Sequence, residues 1–233
     1  MYYSFFYFIE SHWLQVFAVA LISYLIGSVC FSIIFTKLFK NGEDIRNLGS
    51  KNAGFTNVLR SVGGWPAIFT MLGDSFKCIV AIVISRYIFI AADYFSLQYI
   101  SYLSGLFCSL GHVFPCWYKF KGGKSVLVSA AVIFMTDWQV LLVLLCIFLI
   151  SLHIFKIMSL SSIIAAISYP CLNAAVCLLR QNFLRYAFPE YYLIYSTCFC
   201  LILAGIVLLK HKSNIIRLLN GEEKKISIHK KDS

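Results

Sequence analysis

The sequence predicts an all-α fold: a polytopic membrane helical bundle of about seven transmembrane helices, one of them short, with its functional loops on the cytoplasmic face. Three observations predict it. The 233 residues are 60% hydrophobic and only 13% charged, with a mean hydropathy of +0.81; water-soluble domains carry about 25% charged residues. The apolar residues fall into separated runs at roughly 13–36, 65–85, 97–114, 126–136, 138–155, 160–179 and 191–209. Lysine and arginine collect in particular connections between those runs, as they do on the cytoplasmic side of a membrane.

Taken in order, the first eleven residues, "MYYSFFYFIES", are aromatic and suit a membrane interface. No positive residue precedes the first run, so no signal peptide is expected. The next connection holds Lys37, Lys40, Arg46, Lys51 and Arg60. The second run carries Asp74 and Lys77, spaced i, i+3. Charges in a membrane are paired or functional; either these two pair near the cytoplasmic end or they face the site, and pairing is the favoured reading. Lys119, Lys121 and Lys124 follow the third run. The run 126–136 is too short to cross a core of ~30 Å unaided. Fused with 138–155 as one bent segment, it would give six spans. After 209 come Lys210, Lys212, Arg217, Lys224, Lys225, Lys230 and Lys231. Seven spans place these basic segments and Lys156 on one, cytoplasmic, face. The N-terminus, 86–96, Asp137 and 180–190 then lie outside, with Arg180 and Arg185 as local exceptions. Residues 1–219 read as a single integral membrane domain and 220–233 as a polar, frayed cytoplasmic tail.

The net charge of +10 mostly expresses this topology, and it also attracts anionic substrates or headgroups. Nine cysteines without a CxxC spacing read as small buried hydrophobes rather than metal ligands or a disulfide framework.

Four polar segments carry chemistry. In "LGSKNAGFTNVLR", Gly49, Ser50, Asn52, Gly54, Thr56 and Asn57 crowd donors ahead of Arg60. Glycines admit an anion to the backbone, and hydroxyls and amides donate to its oxygens; an ordinary turn-rich loop is the plainer account. In "GHVFPCWYKFKGGKS", Pro115 ends a helix, and Gly122, Gly123 and Lys124 lead into the next. The tail of this segment looks like a nucleotide-binding P-loop, but the first glycine of that pattern is absent, since Tyr118 stands there. A glycine pair and a lysine at a helix start instead suggest an anion cradle of free N–H groups and an ammonium. The plainer account is a positive-inside loop with a flexible joint. In "KIMSLSS", Ser159, Ser161 and Ser162 open a helix, where capping explains one of them. In "KHKSNIIRLLNGEE", His211 and Asn214 share one helix face; a basic helix lying on anionic lipid is the alternative.

The order and spacing of these segments resemble the bacterial acyl-phosphate:glycerol-3-phosphate acyltransferase family (PlsY type) over about residues 24–223. The family's G-S-x-N-x-G-x-T-N-V-x-R is matched from Gly49 to Arg60. Its G-H-x-F-P and F-x-G-G-K are matched by Gly111, His112, Phe114, Pro115, Phe120, Gly122, Gly123 and Lys124. Its serine-rich helix start is matched at Ser161 and Ser162, its D-x-x-K pair by Asp74 and Lys77, and its C-terminal H-x-x-N-I-x-R-L-L-x-G from His211 to Gly221. Lys51 and Ser125 stand where the family tends to have glycine, and Lys156 where arginine is expected.

The resemblance implies an enzyme that transfers an acyl group from acyl phosphate to the 1-position of sn-glycerol 3-phosphate, giving lysophosphatidic acid and phosphate. This is the first acylation of phospholipid synthesis. It implies a multi-pass protein of the bacterial inner membrane, N-terminus outside and C-terminus cytoplasmic. Membrane lipid surrounds it, with no nucleic acid, cofactor or metal, and no covalent enzyme nucleophile. Ser50, Gly123, Lys124 and Ser162 would hold the acyl-phosphate group. Asn52 and Thr56 would line the pocket with Gly49, Gly54, Asn57, Gly122 and Ser161. Arg60 and Lys124 would face phosphate with positive charge. His211 and Asn214 would orient glycerol 3-phosphate, and His112 would serve as a helix-end hydrogen bonder rather than a base. A membrane carrier of phosphorylated metabolites and a catalytically silent scaffold relative are the alternatives. The carrier should show repeat symmetry, which the sequence lacks.

Overall fold

The structure, a computed structural model, describes residues 5–185, 188–189 and 191–225. The expectations for residues 1–4, for positions 186, 187 and 190, and for 226–233 with Lys230 and Lys231 lie outside the described residues. Among those described, the regular structure is helical throughout: α1 (Phe5–Ser11), α2 (Trp13–Gly27), α3 (Phe31–Phe39), α4 (Phe55–Ser61), α5 (Gly64–Ile88), α6 (Tyr94–Val113), α7 (Val126–Phe155), α8 (Met158–Asn182), α9 (Tyr192–Lys210) and α10 (Lys212–Leu219). Five stretches are long and apolar enough to cross a membrane: Trp13–Phe39, α5, α7, α8 and α9.

The helix α6 occupies the centre and packs on α2, α5, α7 and α9. It keeps many polar side chains buried because it faces protein rather than lipid. Ser101, Ser104, Ser109, Gln98 and Tyr102 are all buried, and the Ser104 hydroxyl meets that of Ser23 at 2.9 Å. Its approach to α2 is close. A Cβ on Gly27 would strike the Cys108 backbone, and one on Gly111 the Tyr24 carbonyl. Small residues at such contacts let membrane helices touch backbone to backbone.

The expected fourth and fifth runs form the single element α7, broken at Asp137, whose φ/ψ of −154°/87° is not helical. Val126, Ala130 and Ile133 line the same cavity as Phe148, Leu144 and Leu141. A straight helix would hold Val126 and Phe148 about 33 Å apart, so the chain doubles back at Asp137. Arg180 pins the bend, its Nη1 donating to Asp137 Oδ2 at 2.6 Å and its Nη2 to Oδ1 at 3.1 Å. That pairing gives the apparent charge exception at Arg180 its reason. The short arm Val126–Thr136 needs its terminal carbonyls satisfied; Arg86 Nη2 donates to the Met135 carbonyl at 2.6 Å, and its Nε to Ser101 at 2.7 Å.

Asp74 and Lys77 pair, as favoured from sequence: Lys77 Nζ lies 3.0 Å from Asp74 Oδ1. The ammonium also donates to the Val29 carbonyl at 2.6 Å and to His112 Nδ1 at 2.9 Å. All three side chains are buried. Removing one partner from a buried ion pair strands the other charge and costs about 3–5 kcal/mol, whereas apolar replacement of both is often neutral. Asp74→Ala is therefore expected to lower the thermal unfolding midpoint in detergent sharply, and Asp74→Ala with Lys77→Met to recover most of the loss.

Candidate active site

Two of the polar segments are locked against each other at one end of the bundle. Arg46 holds Asp44 through Nε at 3.0 Å and Nη2 at 2.7 Å, and its Nη1 donates to the Tyr118 carbonyl at 2.8 Å. Gly123 is wedged between the His112 imidazole and the Ala53 carbonyl, where any Cβ would collide. That contact explains the glycine more directly than flexibility does. Asn57, expected to bind substrate, does other work. Its Nδ2 donates to the carbonyls of Ile45, Leu48 and Asn52, and its Oδ1 accepts from the Ser50 N–H at 2.9 Å. With its amide saturated and buried, Asn57 shapes the 45–52 loop and presents nothing to a ligand. Ser50 and Gly49 are left exposed on that loop, Gly54 opens α4, Asn52 and Thr56 are half-buried, and Arg60 is exposed near the end of α4.

The glycine pair also departs from expectation. Gly122 N–H donates to the Val113 carbonyl at 3.3 Å and Gly123 N–H to that of His112 at 3.1 Å. These donors close the end of α6 and are not free for an anion. What remains is Lys124 and the first N–H groups of α7. Lys51 and Ser125 adopt φ of 59° and 63°, the left-handed region that glycine enters without strain. This is why glycine suits both positions.

Around Lys124 the structure assembles a polar cluster. Lys124 Nζ donates to Asn214 Oδ1, and Asn214 Nδ2 donates to Glu223 Oε1 at 2.7 Å. Ser159 Oγ donates to the same carboxylate oxygen at 2.7 Å, and Arg217 Nε to its other oxygen at 2.7 Å. Glu223, Ser159 and Arg217 are absent from the site residues chosen on sequence, and Glu223 fell in the stretch read as frayed tail. A signal was present: Gly221, at φ 72°, follows the helix as a glycine stop that turns the chain back.

Burial pushes the Lys124 ammonium down to about 8; Glu223 opposes this, and Arg217 and Arg60 add to it. Burial and nearby Lys124 push His211 down to about 4, so its imidazole is neutral near pH 7. His211 Nδ1 lies 2.8 Å from the Val207 carbonyl and must donate there, which leaves Nε2 as an acceptor. Burial alone would raise the Glu223 carboxyl, but donors on Ser159, Asn214 and Arg217 hold it below the usual range.

The serines divide. Ser161 is enclosed and donates to the Ile157 carbonyl at 3.1 Å, so it offers no group to a ligand, against the sequence expectation. Ser162 donates to the Met158 carbonyl at 3.0 Å and lines the mouth of an apolar cavity of about 180 Å³. That cavity is lined by both arms of α7, by α8 and by α9, and among its lining residues Val126 and Val207 stand about one turn from Lys124 and His211.

Fold and site together define a polytopic membrane protein with a lysine-centred polar cluster beside an apolar slot. The chain belongs to the glycerol-3-phosphate acyltransferase family, whose profile matches residues 17–221. A glycerol-3-phosphate acyltransferase of Bartonella quintana (strain Toulouse) is 35% identical over 215 residues, covering 92% of this chain and 93% of the relative. One of Prochlorococcus marinus (strain MIT 9301) is 38% identical over 205 residues, covering 88% and 94%. Among solved structures, PlsY (YgiH), an integral membrane glycerol 3-phosphate acyltransferase, matches in its glycerol 3-phosphate form with a TM-score of 0.74 and 28% identity, covering 91% of this chain and 96% of that one. Its lysophosphatidic acid form matches with a TM-score of 0.70 and the same identity. The family agrees with the one the motifs resemble.

Two predictions follow from this geometry. Glu223→Gln removes the negative charge that raises the Lys124 pKa, so the ammonium is lost at lower pH. The alkaline limb of kcat/KM should therefore move to lower pH, read from a pH–rate profile. Ser125→Gly relieves a left-handed residue and should stabilise the protein by about 1 kcal/mol, read as a higher unfolding midpoint in detergent.

Proposed function

We propose that this chain transfers an acyl group from acyl phosphate to the 1-hydroxyl of sn-glycerol 3-phosphate, releasing lysophosphatidic acid and phosphate. The observation that carries the reading is the joining of a lysine-centred cluster to an apolar slot: one end suits phosphate, the other an acyl chain. Lys124, Arg217 and Arg60 supply positive charge for two phosphorylated substrates. The N–H groups at the start of α7 add to it. The neutral His211 accepts the hydrogen bond of a glycerol hydroxyl at Nε2, while Asn214 fixes the direction of Lys124. Ser50 donates to phosphate from the exposed loop, and Ser162 stands where the acyl carbonyl enters the slot. The glycerol oxygen attacks the acyl carbonyl carbon, the bond from that carbon to the phosphate oxygen breaks, and phosphate leaves with the hydroxyl proton. Positioning and electrostatic stabilisation supply the acceleration, with no nucleophile on the protein.

The site faces the cytoplasm of a bacterial inner membrane, with the N-terminus outside, in this proposal. The support is the gathering of Lys37, Lys40, Arg46, Lys51, Lys119, Lys121 and Lys124 at the site's end of the chain's turns. Lysine and arginine charge takes the place of a metal ion, so turnover should persist in chelator.

The test is direct. Purified protein given acyl phosphate and glycerol 3-phosphate should form lysophosphatidic acid and phosphate in equal amounts. Transport of glycerol 3-phosphate into vesicles without product, or neither activity, would refute the proposal in favour of a carrier or a silent scaffold. Lys124→Ala should lower kcat/KM by about a hundredfold or more with the unfolding midpoint little changed, and replacement of any cysteine should be mild.

A further inference from the structure

The slot has a floor. Three of its walls give the same length for it. Val126 to Ile133 on one arm of α7, Phe148 to Leu141 on the other, and Ser162 to Tyr169 on α8 each span seven residues, or about 10 Å. On α9 the lining is shorter, from Val207 to Leu203, or about 6 Å. Between its ends the walls carry Ala130, Ala165, Ala166 and Ala204, so the bore is set by small residues. At the lower end Tyr169 is 4% exposed, and its ring belongs to the same packed cluster as Tyr102 and Phe199, which stack at 5.5 Å. Its hydroxyl has the Cys200 thiol as neighbour. Tyr169 is thus enclosed at that end rather than free in the slot.

We infer that Tyr169 is the specificity-determining residue for acyl-chain length, closing the slot so that it holds the first eight or so carbons of the donor's chain. This rests on the acyl-transfer reading above. With carbon–carbon bonds of about 1.5 Å, an all-trans chain advances roughly 1.25 Å per carbon, so about 10 Å accommodates about eight. Carbons beyond the eighth meet the tyrosine ring and must bend away or leave between the helices. Hydrophobic pockets discriminate by roughly tenfold or more per methylene that fits or fails to fit, so the floor should be visible in kinetics.

The experiment measures kcat/KM for acyl phosphates of eight, twelve and sixteen carbons, with the full chain in detergent and again in lipid vesicles. Tyr169→Ala should raise the sixteen-to-eight ratio by about tenfold. Ala166→Phe, which plugs the slot midway, should lower it by a similar factor. Tyr169→Leu serves if the alanine variant fails to fold, and should shift the ratio in the same direction as alanine. Altered turnover that is equal for all three donors would indicate a merely structural role and overturn the inference. An active wild type whose profile is unchanged by all variants would overturn it too, since the chain then leaves the slot above Tyr169. No product from the wild type with any donor would refute the transfer reading itself, and the inference with it.

Discussion

Everything at the site end of the molecule depends on a lysine that has no business in lipid. Lys77 is held by Asp74 on its own helix, by the Val29 carbonyl where α2 breaks from α3, and by His112 at the end of α6. An unpaired charge there would cost several kcal/mol, so the three elements are fixed relative to one another by the need to satisfy it. His112 carries the constraint onward. Its carbonyl takes the Gly123 N–H and its ring touches Gly123 from the side, and Gly123 in turn seats on the Ala53 carbonyl. One buried ammonium thus sets the distance between the loop that carries Ser50 and the loop that carries Lys124.

The Lys124 cluster is a chain of polarised contacts rather than a set of independent residues. Glu223 accepts from the Asn214 amide nitrogen as well as from Ser159 and Arg217, and Asn214 presents its oxygen to Lys124 as a result. An asparagine amide placed the other way would point two hydrogens at an ammonium. The orientation of Lys124 is therefore decided by a carboxylate it does not touch.

The long helices were legible because lipid enforces a simple rule on composition, and the structure's helices follow the apolar runs to within a few residues at most ends. The Asp137 break was legible as an interruption, and the seven-run count already asked for a reversal there; what pins the reversal was not, since it depends on Arg180 far along the chain. The motif residues were legible as a group, but their division of labour was not. Asn57 and Ser161 have the right chemistry for a ligand and turn it inward, and the Gly122 and Gly123 donors serve the end of α6. Such assignments turn on which carbonyl happens to be in reach. Glu223 was missed because a polar run with no apolar periodicity reads as solvent-facing until its partners are seen.

The fold-back at Asp137 sets the depth at which chemistry takes place. Val126 and Phe148 line one cavity, and Lys124 stands two residues before Val126. In the proposed reaction the donor's chain therefore stays in the slot while its phosphate meets Lys124. Drawing about eight methylenes out of the slot would cost roughly 0.8 kcal/mol each, or about 6 kcal/mol. The fold spares that cost by letting the water-soluble substrate come to the chain, so the chain never has to leave the oil.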